Sequence, residues 1–274
     1  MNLEEKFSKL KDIIRDLGSA AIAYSGGVDS TFLLKVAKDV LGDRVIAVTA
    51  KSSTYPEREF NEAKAFVDQF GAKQIVIISE ELDIEGFSKN PVNRCYFCKK
   101  ELFTKVGQVA KKNGMNYVLD GSNFDDLGDF RPGMQAAKEL QVVSPLKLAE
   151  LTKKDIRELS KRLNIPTWNK PSFACLSSRF PYGNEITVEK LSMVEKAEQL
   201  LMDMGFRQLR VRHHGDIARI EVAPEERIKF FNTAIMDKVG KELQGYGFKY
   251  VTFDILGYRT GSMNEVLSDK DKEL

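Results

Sequence analysis

Residues 20–30 read AAIAYSGGVDS: an apolar strand, Ala20–Tyr24, broken by two glycines and followed at once by a helical stretch, Ser30–Leu41. A strand that turns through glycine into a helix opens a βαβ unit, and the same alternation continues outward from it. Val45–Thr49, Gln74–Ile78, Tyr117–Asp120 and Val142–Ser144 are short and apolar, the pattern of strands buried on both faces. Helical periods occupy Pro56–Phe70, Cys95–Asn113 and Lys153–Leu163, the first opening on Pro and closing at Gly71, the last starting with Thr152 and Asp155 as a capping box. The expected class is α/β, a parallel sheet flanked by helices.

After a Pro/Gly/Ser-rich stretch, WNKPSFACLSSRFPYGN, the pattern changes. A helix over Val188–Met204, strands at Leu209–His213 and Ile217–Val222, a helix near Glu226–Leu243 and a strand at Lys249–Ile255 predict a smaller C-terminal α+β domain. The boundary falls near Tyr182, giving domains of residues 1–182 and 183–274.

The 274 residues are 42% hydrophobic and 30% charged, a globular composition that excludes disorder and collagen-like repeats. Lys and Arg number 42 against 40 Asp and Glu, so the net charge of +2 demands no nucleic-acid partner. No apolar run approaches the ~20 residues of a membrane span, and the opening MNLEEKFSKLKDIIRDLG has no apolar signal-peptide centre. The expectation is a cytoplasmic protein without membrane contact, in which three cysteines serve chemistry better than disulfides.

Ser25, Gly26, Gly27, Asp29 and Ser30 form the glycine turn ahead of the helix. Uncapped backbone N–H groups and the positive end of a helix dipole suit a phosphate, and the glycines let backbone approach it. No GxxxxGK[ST] is present, so this is not a Walker A loop. The plain alternative is a tight turn with Asp29 or Ser30 as N-cap. The full SGGVDS string resembles the PP-loop of the ATP pyrophosphatases, which cleave ATP between its α and β phosphates. On that resemblance Ser25, Gly26, Gly27 and Ser30 hold pyrophosphate, and Asp29 caps the loop or helps hold Mg²⁺. Two further loops leave strand carboxyl ends, where ligands of open α/β sheets gather. One carries Thr49 and Ser52; the other carries Gly121 and Asp125 and continues to Arg131.

Cys95 and Cys98 form a CxxC at a predicted helix start, and Cys175 lies in the Pro/Gly/Ser-rich stretch. The helix terminus and nearby cations favour thiolates. Spacing alone leaves a [4Fe–4S] cluster with one open iron, a zinc site, a redox CxxC or buried inert thiols equally in play.

Taken together, SGGVDS, CYFC, DGSNFDDLGDFRPG, PSFACLSSRFPYG, LRVRHHGDIARIE and GFKYVTFDILGYRTG resemble the LarE family over nearly the whole chain. The resemblance implies a PP-loop, adenine nucleotide alpha hydrolase-like fold and an ATP- and Mg²⁺-dependent sulfurtransferase. Its expected substrate is pyridinium-3,5-biscarboxylic acid mononucleotide, on the route to a nickel-pincer nucleotide. It also implies a [4Fe–4S] cluster on Cys95, Cys98 and Cys175, with sulfur surrendered by Cys175 itself, as one-cysteine members surrender theirs, as the alternative, and a homohexamer. Ser178, Arg179, Arg210 and Arg212 are the implied anion contacts, the last two alternating on one strand face. An iron–sulfur tRNA thiolase, a glutamine-fed synthetase and a non-catalytic nucleotide-binding regulator are the rivals. No RNA-binding appendage or glutaminase segment is recognisable.

Overall fold

The computed structural model describes residues 1–128, 132–259, 261–265 and 268. They form two compact units: Met1–Glu81 with Asn93–Phe173, and Leu82–Val92 with Ala174–Leu274. The division at Phe173 lies ahead of the Tyr182 boundary read from the sequence. Arg179 accounts for the difference, because it ties residues 174–179 to the second unit, as described below.

In the first unit, α1 (Leu3–Leu17) starts on a capping box in which Asn2 and Glu5 exchange hydrogen bonds. There follow β1 (Ala20–Ala23), α2 (Val28–Leu41), β2 (Val45–Lys51), α3 (Glu57–Gln69), β3 (Lys73–Ile78), α4 (Arg94–Lys112) and β4 (Tyr117–Leu119). Two short helices, α5 (Gly133–Glu139) and α6 (Pro145–Leu148), lead to α7 (Lys153–Arg162), which has the predicted Thr152–Asp155 capping box. The strands are parallel in the order β3-β2-β1-β4. Ala20, Ile22, Val45 and Ala47 bury against Phe32, Leu33 and Leu34 of α2 on one face, and Ala21, Ile46 and Val48 against Val106 and Ala110 of α4 on the other. Each large apolar side chain so buried contributes about 1.5–3 kcal/mol.

Two strand expectations change. β3 lies at the sheet edge, with Val76 45% and Ile78 68% exposed, so it is not buried on both faces. Val142–Ser144 is no full strand: Val143 makes one isolated parallel bridge to Leu119.

The second unit holds α8 (Val188–Asp203), β5 (Leu209–His214), β6 (Ile217–Val222), α9 (Thr233–Gly245) and β7 (Tyr250–Phe253). β6 is central, antiparallel to β5 and parallel to β7. The single helix expected over Glu226–Leu243 is broken. 3₁₀ turns run from Pro224 to Phe231, and the Asn232 side chain then accepts from Ala234 N and Ile235 N to start α9. The strap Leu82–Val92 belongs here through Asn90, whose amide donates to the carbonyls of Phe180 and Pro181, and through Ile186 N, which donates to Ser88 O.

Candidate active site

β1 pairs with β2 on one side and β4 on the other, so the sheet order reverses between β1 and β4, the place where open α/β sheets bind ligands. The glycine turn lies at that reversal. Gly26 has φ +65°, and a Cβ there would stand 2.6 Å from Ala63 Cβ, so α3 enforces glycine. Gly27, rather than Asp29 or Ser30, is the N-cap of α2, and a glycine has no side chain with which to cap the first turn. Ser30 Oγ instead lies 3.2 Å from Ser25 Oγ and 3.3 Å from Gly27 O. Tyr55 donates to Ser25 O at 2.8 Å. The α2 terminus is thus held open by its loop rather than closed by a side chain.

Gly121, after β4, packs on that terminus: a Cβ there would approach Ser30 N to 3.0 Å. Asp29 pairs with the Lys153 ammonium through Oδ2, while its buried Oδ1 has no partner among the described residues. Burial pushes the Asp29 carboxyl above the usual range despite Lys153. Asp125 is exposed, accepts from Lys153 N at 2.8 Å and so joins the same corner. Lys170 donates to Glu62 and pairs with Glu59, each at 2.8 Å, and lies 3.5 Å from Gly26 O. Neither lysine belongs to a motif; Lys153 sits at the first position of a capped helix, and only the fold brings it to Asp29.

Thr49 lies within β2, which runs on to Lys51, so it is not in a following loop; it is buried and accepts from Gln74 at 2.9 Å. Ser52 lies 3.1 Å from Thr54 Oγ1, which donates to Glu81 at 3.0 Å. Arg131 falls outside the described residues.

Cys95 and Cys98 stand in the first two turns of α4, Cys95 exposed and Cys98 half-buried, neither in a disulfide. Cys98 Sγ is 3.8 Å from the buried carboxyl of Glu81, which burial pushes upward. No residue pattern points to Glu81, since it lies far from the CxxC in a 3₁₀ turn. Lys100 points along its own helix to the Tyr96 hydroxyl at 3.1 Å.

In the second unit Cys175 is an exposed free thiol preceding the 3₁₀ turn Leu176–Arg179. Arg179 is fully buried, which removes it from direct contact with a substrate. Its guanidinium donates to Ala174 O (2.7 Å), Cys175 O (3.0 Å) and Ser178 Oγ (2.9 Å), and grips both Glu198 oxygens at 2.8 and 2.7 Å. Burial works against both charges of that pair, but their mutual attraction prevails: Glu198 is held below the carboxylate range and Arg179 above its own. Glu198 also accepts from Val211 N at 2.9 Å.

Arg210 and Arg212 share one face of β5, but that face is buried rather than wet. Arg212 donates to Glu221 at 2.8 and 3.1 Å and to Ser178 O at 3.0 Å. Arg210 lies over the Tyr258 ring, 5.1 Å from its centroid, and donates to Leu209 O. Burial and the like charge of Arg179 push it down to about 10. Such a cation gains by meeting an anion.

Among the described residues no three His, Cys, Asp or Glu side chains are grouped to hold a metal ion. No helix among them is long and apolar enough to cross a membrane.

Comparison with known proteins fits this geometry. The NAD synthase family profile matches residues 3–97, the part holding the glycine turn. Pyridinium-3,5-bisthiocarboxylic acid mononucleotide synthase of Lactiplantibacillus plantarum is 39% identical over 97% of this chain and 96% of its own. The chain belongs to the LarE family. This LarE homologue is therefore a PP-loop, ATP-dependent enzyme. An uncharacterized Synechocystis protein is 45% identical over 97% of the chain and 99% of its own length. A subunit of the glutamine-hydrolyzing GMP synthase of Archaeoglobus fulgidus is 26% identical over 73% of the chain and 69% of its own, a more distant likeness.

Proposed function

We propose that the protein adenylylates a carboxylate of pyridinium-3,5-biscarboxylic acid mononucleotide and replaces the AMP with sulfur, giving a thiocarboxylate. The observation that carries this reading is the uncapped α2 terminus behind Ser25–Gly27, in a chain alike over nearly its full length to the Lactiplantibacillus synthase. A carboxylate oxygen attacks the α-phosphorus of ATP, the bond to the β-phosphate oxygen breaks, and pyrophosphate leaves. The N–H groups of the turn, with Ser25 and Ser30, neutralise the departing charge. The orphaned Oδ1 of Asp29 suits Mg²⁺, a hard cation that takes oxygen ligands. Thr49, Ser52, Gly121, Asp125 and Arg131 complete the nucleotide site in this proposal. A sulfur nucleophile then attacks the acyl carbon and AMP departs, a better leaving group than hydroxide.

Cys95, Cys98 and Cys175, each outside a disulfide, are the thiolate ligands in this proposal, on the resemblance of their motifs to the family. A [4Fe–4S] cluster held there would supply sulfide on its fourth iron. Ser178, Arg210 and Arg212 meet the substrate's anionic groups, while Arg179 holds their loop. We also propose a cytoplasmic homohexamer, with no nucleic-acid partner. Ile228, Phe231, Ile255 and Leu256, 64–79% exposed, offer an apolar surface for self-association.

A second reading is favoured by one observation. Cys175 is exposed while its own carbonyl is bound by buried Arg179, a rigid mount for a sulfur surrendered by the residue itself.

Pyrophosphate release from ATP on adding the pyridinium mononucleotide, and not on adding tRNA, is the expected result; release with tRNA alone overturns the proposal. Iron and sulfide assays after anaerobic reconstitution should find a cluster that Cys95→Ala loses. Absence of iron, with Cys175 lighter by one H₂S after turnover, selects the sacrificial route.

A further inference from the structure

Peptide geometry ties two side chains to the glycine turn. In a planar trans peptide the C=O and N–H of one unit point in opposite directions, so whatever holds a carbonyl also aims the amide that follows it. The Ser25 carbonyl accepts from the Tyr55 hydroxyl at 2.8 Å, and the Gly26 carbonyl lies 3.5 Å from the Lys170 ammonium. We propose that Tyr55 and Lys170 are positioning residues for ATP cleavage: by holding those two carbonyls they aim the N–H groups of Gly26 and Gly27 at the departing pyrophosphate. The proposal rests on the phosphate-binding role given to the turn above.

Glycine makes such holding necessary. Gly26 has φ +65° and a second glycine follows it, so the peptides on either side of Gly26 could turn over at little steric cost. Each turnover would put a carbonyl oxygen where an anion needs a donor. No backbone carbonyl among the described residues accepts from Gly26 N or Gly27 N, so neither amide is committed within the backbone. Donors fixed in advance cost no reorganisation when charge develops on the leaving group.

The backing comes from α3. Tyr55 stands one residue ahead of Pro56, the N-cap of that helix, while Glu59 and Glu62 on it each lie 2.8 Å from Lys170 Nζ. The Lys170 and Glu59 side chains are only 12% and 7% exposed, so the ammonium belongs to a protected ion-pair network. Two carboxylates already neutralise Lys170, so it braces the turn rather than gripping phosphate as a free cation. Its backbone is fixed as well: Arg157 donates to its carbonyl at 2.8 Å, its own N–H donates to Thr167 O, and the following Pro171 restricts it to extended geometry. Burial, with Glu59 next, pushes the Tyr55 phenol up, so it stays a hydrogen-bond donor at neutral pH.

The test uses the full chain. Tyr55→Phe removes one hydroxyl, and its thermal melt should stay close to that of the parent. By calorimetry its affinity for inorganic pyrophosphate should fall about fivefold to tenfold. In the pyrophosphate-release assay its KM for ATP should rise by a similar factor, while the KM for the pyridinium mononucleotide is unchanged. Lys170→Met should show the same split, and Lys170→Arg, which keeps the cation, should restore most of the affinity. Both KM values rising together would mean a merely structural role and overturn the proposal. Pyrophosphate binding by the parent that Tyr55→Phe leaves unchanged overturns the positioning role alone. A parent that neither binds pyrophosphate nor releases it from ATP overturns the reading of the turn, and the proposal with it. Should Lys170→Met unfold, Tyr55→Phe decides.

Discussion

Replacing Arg179 with Met would leave the Glu198 carboxylate buried and without its ion-pair partner, and would strip the Ala174 and Cys175 carbonyls of their donor. The exposure of the two side chains is 0% and 2%, so water cannot substitute. Breaking a buried pair from one side costs about 3–5 kcal/mol. At about 2–4 °C per kcal/mol, the melting temperature should fall by roughly 6–20 °C. Replacing both partners, as Arg179→Met with Glu198→Leu, should recover part of that loss, since the carboxylate is no longer stranded while Arg210 loses a nearby anion and Val211 N its acceptor. The pH dependence should also weaken. In the parent, Arg179 outweighs burial and holds Glu198 below its unfolded value, so the pair stabilises at neutral pH and that stability is lost as the pH falls through the carboxylate range. In Arg179→Met, burial is opposed only by Arg210 and the Val211 N–H, so Glu198 moves up toward its unfolded value and the loss on acidification should shrink. Urea unfolding and thermal melts at several pH values measure all of this. A loss under about 1 kcal/mol, or a double variant no better than the single, would refute the assignment of Arg179 and Glu198 as a mutually dependent buried pair.

Gly26→Ala forces a Cβ to 2.6 Å from Ala63 at a positive φ that costs L residues about 1–2 kcal/mol; ATP affinity should drop tenfold or more by calorimetry, and adding Ala63→Gly should restore only part of it. Lys170→Met leaves buried Glu59 without that cation, and a loss of about 1–3 kcal/mol in urea unfolding is expected together with weaker ATP binding. His213 is held below its unfolded value, first by burial, so the parent should lose stability as the pH falls below about 6.5, where the unfolded imidazole takes a proton that the folded one resists. Thermal melts should find that loss smaller in His213→Phe.

The parts legible in the sequence were those set by local rules. β1, the glycine turn and α2 announce themselves because strand, turn and helix follow within a few residues, and the Thr152–Asp155 cap was readable from side-chain chemistry alone. What sequence missed depends on neighbours. The apolar residues of β3 give no sign that the strand lies at an edge, because exposure depends on what pairs beside it. Lys153 reaches Asp29 across 124 positions and Glu81 reaches Cys98 across 17, distances at which no residue pattern operates. The alternating arginines of β5 were visible, but the carboxylate that engages Arg212 comes from β6, so burial could not be read from β5 itself.

The strap Leu82–Val92 makes the chain cross from one unit to the other three times, after residues 81, 92 and 173. Severing the polypeptide at Phe173 would therefore not yield two self-sufficient pieces: the downstream fragment would lack Phe87, 2% exposed, and the fully buried Asn90 that braces the carbonyls of Phe180 and Pro181. On the ribosome the strap emerges some eighty residues before Ala174 and must wait for its partners. Natural recombination meets the same constraint, since a graft of the downstream unit onto another nucleotide-binding fold succeeds only if the inserted strap travels with it.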